Sequence, residues 1–228
     1  MEHEKRDRGT SLVNCSRIKA FGFVSKKKTL RASEKLGARV EAKTLEFLNE
    51  VKEVPPERLV FLDEAGFHLG MTRTHGRTSV GERLYSYQPR NVGSNISLIG
   101  AVRLSGICAL HPYDGSIDGE RFLDFLDSKL FPTLKYGDVV VLDNLRVHHI
   151  AAAKEMAKER GIRLLYLPPY SPELNPIEET WSIIKSVFRS MEARTISAFV
   201  DALCWARSAV TTDKIENLFK HAGYYHSC

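Results

Sequence analysis

Short apolar runs that end in polar or acidic residues recur along the chain, at residues 59–62, 139–142 and 164–167. Runs of this length without alternation are typical of strands buried on both faces of an α/β sheet. Ligands of open α/β sheets collect at the carboxyl ends of the strands. The acids that directly follow the first two runs, Asp63 with Glu64 and Asp143, are therefore the first candidates for a functional site.

The hydrophobic pattern between these runs predicts further elements. A helix from Ser33 to about Val51 precedes the first strand, and Pro55 and Pro56 end it. Residues 66–81 are rich in glycine, threonine and arginine and are expected to form a loop or hairpin. The other predicted elements are strands at 84–87, 96–104, 107–113 and 163–167, a helix capped by Asp118, and helices at 150–160, 176–191, 196–208 and 212–221. The consecutive strands predict an antiparallel meander, which alternating helices and strands then follow.

The composition adds a mild preference for an anionic partner. The 228 residues allow one or two domains with a substantial core, and the formal net charge is +5. The four cysteines form no C-x-x-C pair and no zinc-finger spacing with histidine, so we expect them to be reduced. No apolar stretch has the length of a membrane span, and the charged N-terminus has no signal core. We expect a cytoplasmic protein with no membrane partner, which acts on the nucleoid if it is bacterial.

A third acid completes a candidate metal site. Glu178 lies in the first turn of the helix predicted to begin at Pro176, after the proline-rich turn that follows the third apolar run. Three converging carboxylates favour a hard cation, because Mg²⁺ prefers oxygen ligands and is commonly held by a few carboxylates together with waters and substrate phosphates. Two such ions can clamp the attacking and leaving oxygens of a phosphoryl transfer.

The three acids lie in motifs with a characteristic order and spacing. The motifs are Leu-Asp-Glu-Ala-Gly-Phe at 62–67, Asp-Asn at 143–144 and Ser-Pro-Glu-Leu-Asn-Pro-Ile-Glu at 171–178. Residues 144–177, which are 34 in number, separate Asp143 from Glu178. This combination resembles the DDE transposases of the mariner superfamily, and most closely the bacterial insertion sequence 630 family. The resemblance extends from about residue 25 to the C-terminus.

The resemblance implies a fold and a domain organisation. The expected fold is α/β and ribonuclease H-like, with a mixed five-stranded sheet flanked by helices and a basic N-terminal helical extension. Residues 1–57 are expected to form a basic segment and a linker helix, the remnant of a helix-turn-helix portion that is otherwise missing. Residues 58–228 are expected to form the catalytic domain.

The resemblance also implies a chemistry. Asp63, Asp143 and Glu178 would be catalytic and would bind two Mg²⁺ ions, for which Mn²⁺ can substitute. The enzyme would cut double-stranded DNA at the inverted-repeat ends of a mobile element and join them to target DNA, working as a homodimer. Two alternatives stay open, namely a transposase remnant that only binds DNA, and a ribonuclease H-like nuclease without joining activity. A frameshift fusion that supplies the missing N-terminal portion would reconcile that absence with an intact acidic triad.

Several site residues have structural interpretations as well. Glu178 could be a structural residue, because it is the third helical residue after Asn175, and an N-cap asparagine with a glutamate at that position resembles a capping box. Glu179 is the alternative catalytic glutamate. Asn144 could orient a ligand or simply form a turn. His148 is a possible phosphate or water contact. Glu64 and Glu173 are expected to be secondary or structural.

Positively charged residues near the acids are candidate DNA contacts or ion-pair partners. The expected DNA-binding residues are Arg73, Arg77, Arg90, Arg146, Lys185 and Arg189. The basic cluster at 26–28 is interpreted either as a solvated terminus or as a contact with the DNA backbone. Trp181 is expected to be a core residue rather than a platform for base stacking.

Overall fold

A five-stranded mixed sheet forms the centre of the computed structural model, which describes residues 37–90, 93, 95–143 and 151–225. The strands are β1 (Leu59–His68), β2 (Asn95–Arg103), β3 (Gly106–Asp114), β4 (Val139–Leu142) and β5 (Arg163–Tyr166). Their order in the sheet is β3-β2-β1-β4-β5. The first three strands pair antiparallel, and β4 pairs parallel with both β1 and β5. The predicted sheet, with its antiparallel meander, is confirmed.

Helices cover both faces of this sheet. They are α1 (Ala38–Lys52), α2 (Gly119–Phe125), α3 (Ala151–Glu159), α4 (Pro176–Met191), α5 (Ile196–Ala209) and α6 (Thr212–His221). Short helical turns at Pro56–Arg58, Leu126–Leu130, Phe131–Thr133 and Pro172–Leu174 complete the described elements. Within the described ranges, no helix is both long and apolar enough to cross a bilayer.

The alternation of side chains along β1 divides the interior into two hydrophobic cores. Phe61, Ala65 and Phe67 belong to the core that also contains the apolar faces of α4, α5 and α6. Val60 and Leu62 belong to the core beneath α2 and α3 on the other face. Residues 59–62 of β1 are buried on both sides and form a continuous apolar run. Asp63 follows this run as a buried acid, and the alternation places it on the α4 face.

The helix α1 packs on the same core as α4. Its Phe47 and Val51 are buried there, and partly buried Leu48 lies beside them. The helix begins at Ala38 after Gly37, which provides no side-chain cap. Ser33, the predicted cap, lies outside the described residues. The proposed division of the chain between residues 57 and 58 stays a prediction.

Two predictions about the region after β1 are wrong. Residues 66–68 continue β1 instead of starting a loop, because β2 supplies backbone partners as far as the pair His68 and Asn95. Residues 84–87 do not form a strand. The side chains of Leu84, Tyr85 and Tyr87 are exposed, and the backbone of these residues pairs with no strand of the described sheet. A segment of strand-like composition does not form a strand unless a neighbouring strand offers backbone partners and side-chain contacts.

Candidate active site

Parallel pairing of β1 with β4 brings the first two acids together. Leu62 pairs with Leu142, so Asp63 and Asp143 are the next residues along two adjacent strands. Asp143 directly follows the last residue of β4, at the carboxyl edge of the sheet. This edge is where ligands bind in open α/β sheets. The apolar runs thus determine the location of both carboxylates.

The third acid comes from the start of α4. Pro176 is the first residue of this helix, and Glu178 and Glu179 lie in its first turn. Ile177, Trp181, Ile184 and Phe188 are buried against the core and fix the rotation of the helix about its axis. The Tyr224 hydroxyl donates a hydrogen bond to the Leu174 carbonyl, just before the helix begins. The helix start is therefore held by both core packing and the C-terminal segment.

The capping-box interpretation of Glu178 does not agree with the structure. Asn175 occupies the position before the helix, but its side chain makes no capping hydrogen bond. Its backbone N–H already donates to the Pro172 carbonyl at 3.0 Å, so that N–H is not left for the Glu178 carboxylate. Asn175 is buried, and no described residue donates to its Oδ1. The alternative in which Asn175 caps α4 through its side chain is wrong, because the Glu178 backbone N–H donates to the Asn175 backbone carbonyl at 3.1 Å instead.

The two glutamates of the first turn have different surroundings. Glu179 Oε1 lies 2.7 Å from His221 Nδ1, and both side chains are largely exposed. Glu178 is exposed as well, but its charge acts directly on buried Asp63. The electrostatic effect on Asp63 therefore groups Glu178 with that acid, and the contact with His221 places Glu179 at the C-terminal end of α6.

Asp63 is the buried member of the acidic group. Asp63 is only 7% exposed, and its neighbours on the same face of β1 are the buried apolar residues Phe61 and Ala65. The pKa of Asp63 is raised from 3.8 to about 7, first by burial, then by the negative charge of Glu178 and further by that of Asp143. Hydrogen bonds from the Glu64 backbone and from Trp181 lower this pKa and oppose the rise only in part. Such crowding of carboxylates in a partly dry site is relieved when a cation binds.

Trp181 is a site residue that the sequence did not reveal. Its indole N–H donates to Asp63 Oδ2 at 3.0 Å, and Trp181 itself is 3% exposed. The core position predicted for Trp181 agrees with the structure, but its hydrogen bond to the acid was not predicted. The apolar spacing of α4 indicates only that residue 181 is buried. The one available signal for the hydrogen bond was that a buried tryptophan usually needs a partner for its N–H.

The donor set fits a hard divalent cation. The three candidate ligands all offer carboxylate oxygens. In the described part of the chain, no three acidic, histidine or cysteine side chains come close enough together to form a metal site by themselves. Carboxylates that leave coordination positions to other ligands suit Mg²⁺, which keeps several waters and shares its coordination with substrate phosphates. Burial and then the charges of Glu178 and Asp143 raise the pKa of Asp63, and a bound cation would favour its ionised form.

The predicted DNA-binding residues that the structure describes lie on the segment between β1 and β2 and on α4. Arg73, Arg77 and Arg90 are exposed on the segment that connects β1 to β2. The start of this segment is held by Arg194, which donates to the Leu69 and Met71 carbonyls and to Thr72 Oγ1. Lys185 and Arg189 are partly buried on α4, with Lys185 Nζ 5.6 Å from the centre of the Phe67 ring. Arg146, Asn144 and His148 lie outside the described residues.

A comparison with protein families decides the ancestry of this site. The model of the DDE superfamily endonuclease family matches residues 58–200, which include Asp63, Asp143 and Glu178. The chain belongs to the DDE superfamily endonuclease family. The match begins just before β1 and ends inside α5, so it covers the sheet and the acidic group of this DDE endonuclease.

Known relatives agree with this membership. The DDE endonuclease is 29% identical over 171 residues to the transposable element Tcb2 transposase of Caenorhabditis briggsae. This alignment covers 70% of the chain and 62% of the Tcb2 protein, so the chain spans less than two thirds of that relative.

Solved structures share the fold. The Mos1 transposase in a paired-end complex with the left transposon end has a TM-score of 0.73 at 15% identity, over 92% of this chain and 70% of that one. A Mos1 transposase catalytic domain with Raltegravir and Mg has a TM-score of 0.60 at 14% identity, over 87% of this chain and all of that one. The predicted ribonuclease H-like fold is confirmed by these matches.

Proposed function

We propose that this DDE endonuclease is the catalytic portion of a transposase, which cuts DNA at the ends of a mobile element and joins those ends to target DNA. One observation above all supports the proposal. Buried Asp63 lies next to Asp143 across the β1–β4 pair, and the charges of Asp143 and Glu178 both act on it. Three carboxylates in this arrangement match the order of acids in the family motif.

Asp63, Asp143 and Glu178 are the residues that would hold the metal, which we propose to be two Mg²⁺ ions, with Mn²⁺ able to substitute. Such ions lower the barrier to phosphodiester cleavage by stabilising the attacking and leaving oxygens. The protein contributes the positions of its carboxylates: the sheet fixes Asp63 and Asp143, and the packed face of α4 fixes Glu178. The apolar residues around Asp63 limit water on one side of the site.

The finer identity and the partners are also proposals. The Ser-Pro-Glu-Leu-Asn-Pro-Ile-Glu motif at 171–178 supports the insertion sequence 630 family within the mariner superfamily. Similar structures of Mos1 are complexes with transposon ends, including a mariner Mos1 paired end complex with Mg. By analogy, we propose that the chain works as a homodimer on paired inverted-repeat ends. The proposed site of action is the nucleoid of a bacterial cell.

The test is an in vitro cleavage and joining assay with the purified chain. The substrates are pre-cut DNA fragments that carry the inverted repeats flanking the coding region, with a supercoiled plasmid as the target. Strand transfer that needs Mg²⁺ or Mn²⁺ and disappears in Asp63→Asn is the expected result. Metal-dependent cleavage without any joining would instead assign a nuclease. DNA binding without chemistry, both for the chain alone and for a fusion to the upstream reading frame, would assign a remnant.

A further inference from the structure

A hydrogen bond between Trp181 and Asp63 links the catalytic helix directly to the first acid. The indole N–H of Trp181 donates to Asp63 Oδ2 at 3.0 Å, across 118 positions of sequence. Both residues are buried, so water does not compete for this bond. Hydrogen bonds from a donor to an ionised carboxylate are shorter and stronger than those between neutral groups.

The neighbouring strand is built to admit the indole ring. Gly100 of β2 is the direct partner of Asp63 in the antiparallel register. A Cβ atom at position 100 would lie 2.7 Å from Cη2 of Trp181 and 3.1 Å from Cζ2. The backbone of Gly100 has no positive φ that would demand a glycine. The same Cβ would also lie 3.1 Å from Leu110 Cδ1, but its shortest contact is with the indole ring, so a glycine opposite Asp63 leaves space for that ring.

The indole ring also packs against an aromatic residue of β1. Phe67, four residues after Asp63 on β1, contacts Trp181 edge to face with ring centres 6.2 Å apart. Trp181 lies three residues after Glu178, so the two side chains are neighbours along one side of α4. A bond from this turn of the helix to Asp63 therefore connects the first acid with the helix that presents the third.

We propose that Trp181, seated against Gly100, is a positioning residue that orients the Asp63 carboxylate and sets its separation from Glu178 for metal binding. The inference rests on the proposed function, since it presumes that Asp63 is a metal ligand. Hydrogen bonds to metal-ligating carboxylates orient the ligand, and removing such a partner typically lowers metal affinity about 10- to 100-fold. An ordinary core tryptophan would make no such contribution.

The test compares metal binding in variants that keep the core filled. Trp181→Phe keeps an aromatic ring but removes the N–H, and Gly100→Ala keeps the N–H but crowds the ring. Phe125→Leu is the matched control, because Phe125 of α2 is fully buried in the core on the other face of the sheet, away from α4. Mn²⁺ affinity is measured by the electron paramagnetic resonance signal of free Mn²⁺, and thermal unfolding is measured in parallel.

We expect Trp181→Phe and Gly100→Ala each to weaken Mn²⁺ binding by about 10-fold or more. Phe125→Leu should leave Mn²⁺ binding unchanged at a similar loss of thermal stability. Unchanged Mn²⁺ affinity in folded Trp181→Phe would overturn the inference. An equal loss in Phe125→Leu would also overturn it, because the effect would then follow core stability alone. Asp63→Asn tests the proposed metal site separately from the positioning role of Trp181. If Asp63→Asn binds Mn²⁺ as tightly as the wild-type protein, the proposed metal site is wrong, and the positioning role is wrong with it.

Discussion

At the scale of single residues, the surroundings of Asp63 oppose its ionisation. Its folded-state pKa of about 7 lies above the 3.8 of the unfolded chain, so the folded state holds the proton more tightly. The free energy of unfolding of the metal-free protein should therefore fall as the pH rises from about 4 to about 7, and then level off. At about 1.4 kcal/mol per pH unit, the loss is on the order of 4 kcal/mol. Urea unfolding at a series of pH values in a chelator checks this slope.

The variant Asp63→Asn isolates the effect, because its side chain cannot ionise. Its unfolding free energy should lack this decline between about pH 4 and about pH 7. Added Mg²⁺ should oppose the decline in the wild-type protein, since metal binds the ionised carboxylate. A decline of equal size in Asp63→Asn would show that other groups cause it.

The two adjacent glutamates provide a second test at residue scale. Glu178→Gln should reduce metal-dependent strand cleavage at least about 100-fold, which exceeds the usual effect of removing a group that only supports a ligand. Glu179→Gln should reduce it less than about tenfold, because the exposed contact between Glu179 and His221 contributes about 1 kcal/mol or less. Single-turnover rates on a pre-nicked element end measure both. A larger loss in Glu179→Gln would reverse the assignment of the catalytic glutamate.

Sequence patterns could point to candidate acids because each lies beside a locally defined element. Asp63 and Asp143 follow apolar runs, and Glu178 lies in the first turn of a helix, where the resemblance to the family motif favours it over Glu179. The bond between Trp181 and Asp63 could not be predicted in this way, because periodicity describes neighbours along one element. Its donor and acceptor lie 118 positions apart, and only the packing of α4 on β1 brings them together.

At the scale of elements, the C-terminal segment supports the start of the catalytic helix. The Tyr224 hydroxyl donates to the Leu174 carbonyl, and its ring packs on Phe61 of β1 with ring centres 4.8 Å apart. Tyr224→Phe keeps the ring and removes the donor, which should cost about 1–3 kcal/mol of unfolding free energy. Hydrogen exchange of the backbone amides at 174–178 should accelerate more than exchange in the sheet, because the loss is local.

The neighbouring tyrosine gives the control for this prediction. Tyr225→Phe also removes one hydroxyl, but the ring at this position keeps its contact with Lys220 Nζ, which lies 5.2 Å from the ring centre of Tyr225. Exchange at 174–178 should stay at the wild-type rate in this variant. Faster exchange in both variants would mean that the C-terminal segment acts through general stability rather than through the Leu174 bond.

Element boundaries were less predictable than element order. The order of strands and helices followed from hydrophobic runs and periods, and the helix Pro176–Met191 has the predicted limits. Residues 84–87 have the composition of a strand, yet they are exposed and unpaired in the described sheet. Strand formation depends on a partner edge, which a local pattern does not contain. For the same reason β1 extends to His68, where β2 still pairs with it.

At the scale of the whole molecule, separate sets of basic residues lie at the carboxyl ends and at the amino ends of the parallel strands, which are called the two edges of the sheet below. Arg73, Arg77 and Arg90 are exposed on the segment that leaves β1 at the edge near the acids. Arg58, Lys135 and Arg163 lie at the amino ends of the parallel strands, at the opposite edge. Binding of a DNA backbone to the acidic edge would use the first set and leave the second in solvent.

Charge-matched triple variants distinguish these edges. Replacing Arg73, Arg77 and Arg90 with glutamine should weaken DNA binding and lower the slope of log affinity against log salt by up to about 0.9 for each phosphate that is no longer neutralised. Replacing Arg58, Lys135 and Arg163 with glutamine removes the same formal charge, so it controls for net charge alone. Fluorescence anisotropy of an element-end duplex between about 50 and about 200 mM salt measures both slopes. Equal changes in the two variants would contradict a DNA surface at the acidic edge, because the response would then reflect total charge rather than direct binding of phosphates.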